Sequence, residues 1–119
     1  MNQKQPKYKS KFEGEIAKAY PKLKYETHIF YYKSTYKPDW HIKGKKFIET
    51  KGYLDPISRT KLIAVKHANP EIKFYILFQN AGVRISKYSN TTYGDWATKH
   101  GFTWSCWRTN KEIPKEWLR

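Results

Sequence analysis

The chain has little cysteine, little acid and no long apolar run, and each shortage removes a class of protein. Cys106 is the single cysteine among 119 residues. One thiol builds neither a disulfide framework nor a cysteine-based zinc cluster, and it fits a reducing compartment. No apolar stretch approaches the roughly 18 residues of a membrane-spanning helix. The opening run MNQKQPKYKSK is too polar for a secretory leader. The expectation is therefore neither a secreted scaffold nor a membrane protein, but a protein of the cytoplasm (the host cytoplasm, if a phage encodes it). Acid is the third shortage. Ten Asp and Glu stand against 24 Lys and Arg, a net charge of +14. Such an excess repels itself in a compact chain unless a polyanion lies opposite. The four histidines, 28, 41, 67 and 100, share no metal-ligand spacing, which disfavours a histidine–metal site.

What remains is enough to fold. Hydrophobic residues make up 39% of the chain, so global disorder is excluded. Aromatics reach 18% and are interleaved with lysines, which makes nucleic acid the leading partner before any motif is considered. The length suits one small domain over residues 10–119, preceded by a flexible basic arm over 1–9 that carries Lys4, Lys7 and Lys9. There are no internal repeats.

Ser10 and Glu13 have capping-box spacing, and Phe12, Ile16, Ala19 and Tyr20 form the apolar stripe of a helix that Pro21 ends. Residues 24–32, KYETHIFYY, are rich in β-formers and predict one long strand, with residues 33–35 as a breaker. Residues 39–42 and 46–51 predict a hairpin around a three-residue loop, Lys43-Gly44-Lys45. Asp55-Pro56 predicts an N-cap and first helical residue, with the helix running to about Ala68. IKFYILF (72–78) reads as a strand buried on both faces. A shorter strand is expected over 83–87, a helix over 92–100 stopped by Gly101, and a further strand over 102–107. The fold class is α/β, a mixed five-stranded sheet flanked by helices.

The hairpin carries the chemistry. With Gly44 at the loop centre, Asp39 lies opposite Glu49, with Cβ atoms roughly 4.5–5.5 Å apart. Lys51, two residues on, projects from the same face as Glu49. Like charges directly opposed destabilise a sheet, and an acid-poor chain has little reason to place them there. A hard divalent cation resolves the conflict, since magnesium takes carboxylate oxygens and water. A neighbouring ammonium suits a phosphate oxygen or an attacking water. Each of these residues also has a plainer reading. Glu-x-Lys on a strand is often a solvated face, and Glu13 serves either as a cap or as a third carboxylate. Arg59, Lys61 and Lys66 line the helix after the hairpin, as phosphate contacts or as its wet face. His41 shares the metal face and is expected to line the site. Of the late tryptophans, 96, 104, 107 and 117, packing is the stronger reading over base stacking.

Pro38-Asp39 followed by Glu49-Thr50-Lys51 resembles the PD-(D/E)xK nuclease superfamily. The longer stretches YKPDW (36–40), FIETKG (47–52), SRTKLIAVKHANPE (58–71), FYILF (74–78), KYSNTTYGDWATKHG (87–101) and IPKEW (113–117) resemble the endonuclease I family of T-odd bacteriophages, which resolve Holliday junctions. The resemblance implies a restriction-endonuclease-like core and an intertwined, domain-swapped homodimer. It implies Asp39, Glu49 and the Thr50 carbonyl as metal ligands, Lys51 as the catalytic lysine, and Glu13 as a second-metal ligand contributed across the subunit boundary. Two Mg2+ ions per site are implied, with Mn2+ as a substitute, and no small-molecule cofactor. Branched DNA is the implied substrate. Residues 27–35 are shorter than their counterpart in the family, and 105–111 longer. The residues by themselves also admit a non-catalytic nucleic-acid-binding module, or a restriction-like nuclease that cuts linear duplex.

Overall fold

The computed structural model describes residues 8–32 and 34–119. Lys4 and Lys7 of the expected basic arm lie outside the described residues. The elements in chain order are α1 (Lys11–Ala19), β1 (Lys24–Tyr25), β2 (Phe30–Tyr31), β3 (Thr35–Tyr36), β4 (Trp40–Lys43), β5 (Lys46–Lys51), α2 (Pro56–Ala68), β6 (Lys73–Phe78), α3 (Tyr93–Lys99), β7 (Thr103–Cys106), α4 (Trp107–Asn110) and a closing 3-10 turn (Lys115–Leu118). The main sheet has the order β1-β4-β5-β6-β7. β1 pairs antiparallel with β4 and β4 with β5, while β5, β6 and β7 are mutually parallel. The expected mixed five-stranded sheet with flanking helices is present. None of the described helices is long and apolar enough to cross a membrane.

Alternation along the central strands divides the core in two. Phe47, Phe74, Ile76 and Phe78 face Leu62 and Val65 of α2 and Tyr93, Trp96 and Ala97 of α3. Ile48, Tyr75 and Leu77 face the other way, onto Phe12 and Ile16 of α1 and onto Trp107, Ile113 and Trp117 of the C-terminal segment. β6 is thus apolar on both faces, as its unbroken run requires. Trp96, Trp107 and Trp117 are buried, in agreement with packing as their role.

The helix ends follow their local chemistry. The Ser10 hydroxyl accepts from the Glu13 amide at 3.1 Å. The Asp55 carboxylate accepts from the Ser58 amide at 2.7 Å, with Pro56 in the first turn. α3 opens with a full capping box between Thr92 and Asp95 and closes before Gly101, whose φ of +76° suits glycine.

Four expectations are corrected. The single strand over 24–32 is two short ones in different sheets, β1 against β4 and β2 against β3. Glu26, at φ +49°, turns the chain out of the main sheet, donating its amide to the Asp39 carbonyl at 2.8 Å. Its carboxylate is gripped by Lys9 at 3.0 Å and Lys37 at 3.3 Å, which holds a non-glycine residue in the left-handed region. Thr35, expected in a breaker, begins β3. Residues 83–87 form no strand: the free edge of β6 is taken by β7, and only an isolated bridge joins Arg84 to Thr92. The hairpin loop is also tighter than expected. Trp40 pairs with Ile48 and His41 with Phe47, in the register inferred from Gly44, but Lys43 then pairs with Lys46. Ile42 is the extra residue of a bulge, and Gly44 at φ +54° heads a two-residue turn.

Candidate active site

β5 lies where the sheet changes from antiparallel to parallel, and Thr50 and Lys51 stand at its carboxyl end. β4 runs the opposite way, so Asp39, just before it, comes to the same edge. Open α/β sheets commonly bind their ligands outside the carboxyl ends of their strands. Pairing therefore brings two segments of the Pro-Asp and Glu-x-Lys motif together at one rim.

Three carboxylates meet there, each nearly sealed from solvent: Glu13 is 5% exposed, Asp39 6% and Glu49 6%. Asp39 Oδ2 accepts from both the Thr50 amide, at 2.8 Å, and the Thr50 hydroxyl, at 2.7 Å. The same hydroxyl lies 3.2 Å from Glu13 Oε2. Successive side chains of β5 point to opposite faces, so Thr50 meets Glu13 on the α1 face while Glu49 and Lys51 lie on the α2 face. Glu13 and Glu49 thus approach Asp39 from opposite sides of the sheet.

Glu49 Oε1 accepts from the Tyr36 hydroxyl, and Glu49 Oε2 lies 3.6 Å from Lys51 Nζ. Lys51 is held in turn by the Ser58 hydroxyl at 3.2 Å, from the first turn of α2. Glu13 Oε1 accepts from the Tyr25 hydroxyl at 2.9 Å and from the Lys9 amide at 3.0 Å. The capping-box reading of Glu13 is therefore only half met. Ser10 binds the Glu13 amide, but the Glu13 carboxylate bypasses the Ser10 amide and is committed to the acid cluster.

Crowding shows in the proton affinities. Burial, and then the charges of Glu49 and Glu13, push the Asp39 carboxyl up to about 8 against the bonds from Thr50. Burial also raises Glu49, opposed by Lys51 and the Tyr36 hydroxyl. Burial and the adjacent glutamate raise both tyrosines, which therefore remain donors.

Among the described residues, no three His, Cys, Asp or Glu side chains form a ready-made metal cage. The donor set nevertheless fits a hard ion, because magnesium is held by one or two carboxylates with water filling the remaining positions.

The remaining expected residues divide. Lys9 is paired with Glu26 at the rim, close enough for Asp39 and Glu13 to act on its charge. Arg59 donates to the carbonyls of Leu54 at 3.0 Å and Ile85 at 3.4 Å, tying two loops together. Lys61 lies 5.4 Å over the Tyr36 ring and Lys66 5.8 Å over Phe102. His41 does not line the site. Its ring stacks on Phe47 and its Nε2 meets the Gly44 carbonyl at the hairpin turn, away from the acids. Sequence reasoning missed Tyr25, Tyr36, Ser58 and the Thr50 side chain. Only Tyr36 carried a signal, as a phenol three residues before Asp39.

A mixed α/β sheet gathers buried carboxylates and one lysine at the end of its central strand, an acid-rich site at the sheet's rim. The sequence family agrees. The profile described as Phage endonuclease I matches residues 2–119, and the chain belongs to that family. Endonuclease I of Escherichia phage T7 is 33% identical over 85 residues, covering 71% of this chain and 54% of that protein. Endodeoxyribonuclease 1 of Enterobacteria phage T3 is 36% identical over 66 residues, 56% of this chain and 43% of that protein. The chain spans about half the length of the curated relatives it matches.

Proposed function

We propose that the chain is a magnesium-dependent endodeoxyribonuclease, selective for structure, that resolves four-way junctions and other branched DNA as a homodimer. The observation that carries this reading is the convergence of buried Glu13, Asp39 and Glu49 with Lys51 at one rim of a chain with net charge +14. The relatives' names, an endonuclease and an endodeoxyribonuclease, support DNA as the substrate.

Asp39 and Glu49 would hold a divalent ion with the Thr50 carbonyl, and Glu13 with Asp39 a second. Bound there, the ions supply Lewis acidity toward the phosphodiester and offset the charge of the carboxylates. Lys51, fixed between Glu49 and Ser58, presents its remaining ammonium protons to a non-bridging phosphate oxygen or to the attacking water. The water gives up a proton as its oxygen bonds to phosphorus, and the strand oxygen whose bond to phosphorus breaks takes one up from solvent. Lys4, Lys7, Lys9, Lys61 and Lys66 add phosphate affinity without base readout, which weakens with salt. Arg59 contributes chiefly by tying the loops beside Lys51. A two-fold dimer matches the paired, symmetric cuts that a four-way junction requires.

Glu49→Ala decides the assignment. With magnesium, cleavage of a four-way junction is expected to fall by about a hundredfold or more, while junction binding in calcium is retained. Uncut junction with the unaltered protein at every magnesium concentration would favour a non-catalytic binding module. Equal cutting of the junction and of its separate linear arms would favour a restriction-like duplex nuclease.

A further inference from the structure

Two tyrosines stand in the same relation to two glutamates, one pair on each face of the sheet. Tyr25 of β1 donates to Glu13 Oε1 at 2.9 Å, and Tyr36 of β3 donates to Glu49 Oε1. In both cases the phenol takes Oε1, shared on Glu13 with the Lys9 amide, and leaves Oε2 to other partners. Glu13 Oε2 then faces the Thr50 hydroxyl, which also holds Asp39, and Glu49 Oε2 faces Lys51. Both rings are anchored by packing. Tyr25 lies 4.9 Å from the Trp40 ring and 4.8 Å from Tyr8, and Tyr36 is 4% exposed against Phe74.

We infer that Tyr25 and Tyr36 are positioning residues, each clamping one glutamate so that its Oε2 stays aimed at the shared cation and phosphate position. This rests on the nuclease reading above and extends it to residues outside the Pro-Asp and Glu-x-Lys motif. The physical need is plain. Each free carboxylate, repelled by its neighbours, would rotate about its last bond toward solvent or toward the nearest ammonium. A phenol on a packed ring supplies a donor that cannot follow it, so the carboxylate keeps one orientation whether or not a cation is present. A hydrogen bond to a charged group is worth enough to bias that rotamer by about tenfold or more. The clamps act on how well the site accepts metal and orients the reacting groups, and not on how the protein grips DNA.

The test removes only the oxygens. Tyr25→Phe, Tyr36→Phe and, as a control, Tyr20→Phe are compared with the unaltered protein. Tyr20 also uses its hydroxyl, accepting from the Ile113 amide at 2.8 Å, but in the C-terminal packing. Two readouts are taken: Mn2+ binding to the protein alone by titration calorimetry, and junction cleavage with kcat and KM separated. Tyr25→Phe and Tyr36→Phe are expected to weaken Mn2+ binding by about tenfold and to lower kcat with little change in KM. Tyr20→Phe is expected to lower the melting temperature and leave Mn2+ binding as it was. Wild-type Mn2+ affinity and kcat in both site variants would overturn the clamps and leave the nuclease reading standing. An unaltered protein that binds Mn2+ but cuts no DNA would overturn the nuclease reading, with the clamps still decided by calorimetry. An unaltered protein that binds no Mn2+ would overturn both. Should the buried Tyr36→Phe not fold, Tyr25→Phe, on the more open face, decides alone.

Discussion

Asp39 is the residue on which the rim turns. It sits in the gap between Glu13 and Glu49, and its carboxyl is raised from an ordinary 3.8 to about 8. Between those limits the folded chain binds a proton that the unfolded chain has released, so this group's contribution to stability falls as pH rises. Asp39→Asn removes that loss while keeping an oxygen to accept from Thr50. In the presence of chelator, the variant is expected to match the parent near pH 4 and to exceed it by a margin that grows as pH rises toward 8. Thermal melts across that range check this, and a difference that stays flat with pH would refute the burial account. Asp39, Glu49 and Lys51 were legible because their types and spacing are one-dimensional facts. Tyr25 and Tyr36 were not, because a phenol becomes a clamp only when its hydroxyl reaches a carboxylate 12 or 13 residues away.

Among the elements, α2 does more for the site than its length suggests. Its first turn supplies Ser58 to Lys51 and Arg59 to the Leu54 and Ile85 carbonyls, and that turn is capped by Asp55. Asp55→Ala is expected to lower the midpoint of denaturant unfolding, since the capping bond from the Ser58 amide is lost. Because the turn also steadies Lys51, cleavage should fall with little change in junction affinity. Caps made the helices readable in advance, since a cap is a contact between near neighbours in sequence. The hairpin was readable for the same reason, although the bulge at Ile42 was not. The segment KYETHIFYY misled because its β-forming side chains are real, but Glu26 is held at a positive φ by lysines from two other segments. Residues 83–87 misled because strand propensity does not supply a free sheet edge to pair with.

At the scale of the whole molecule, the resemblance implied that Glu13 serves the partner's site. In the folded chain Glu13 reaches its own chain's Thr50, with β1 paired on β4 beside it. A dimer that keeps this arrangement would carry two sites, each complete in itself. Mixed dimers of Glu13→Ala and Glu49→Ala chains are therefore expected to stay inactive in junction cleavage, because each chain lacks one carboxylate of its own site. Recovery of one intact site in the mixture would show the glutamate crossing between subunits.

The amino-acid order by itself determined the α/β class, the hairpin register, the helix caps, the polyanion-seeking charge and three of the acid-site residues. All of these depend on contacts between residues close in sequence or on composition alone. Only the tertiary structure decided that Glu13 leaves its cap for Thr50, that the two glutamates approach Asp39 from opposite faces, and that two tyrosines hold them. Those facts depend on which distant segments share the interior. There the loss of water makes an unpaired carboxylate costly, and a single hydroxyl from another strand decides its orientation.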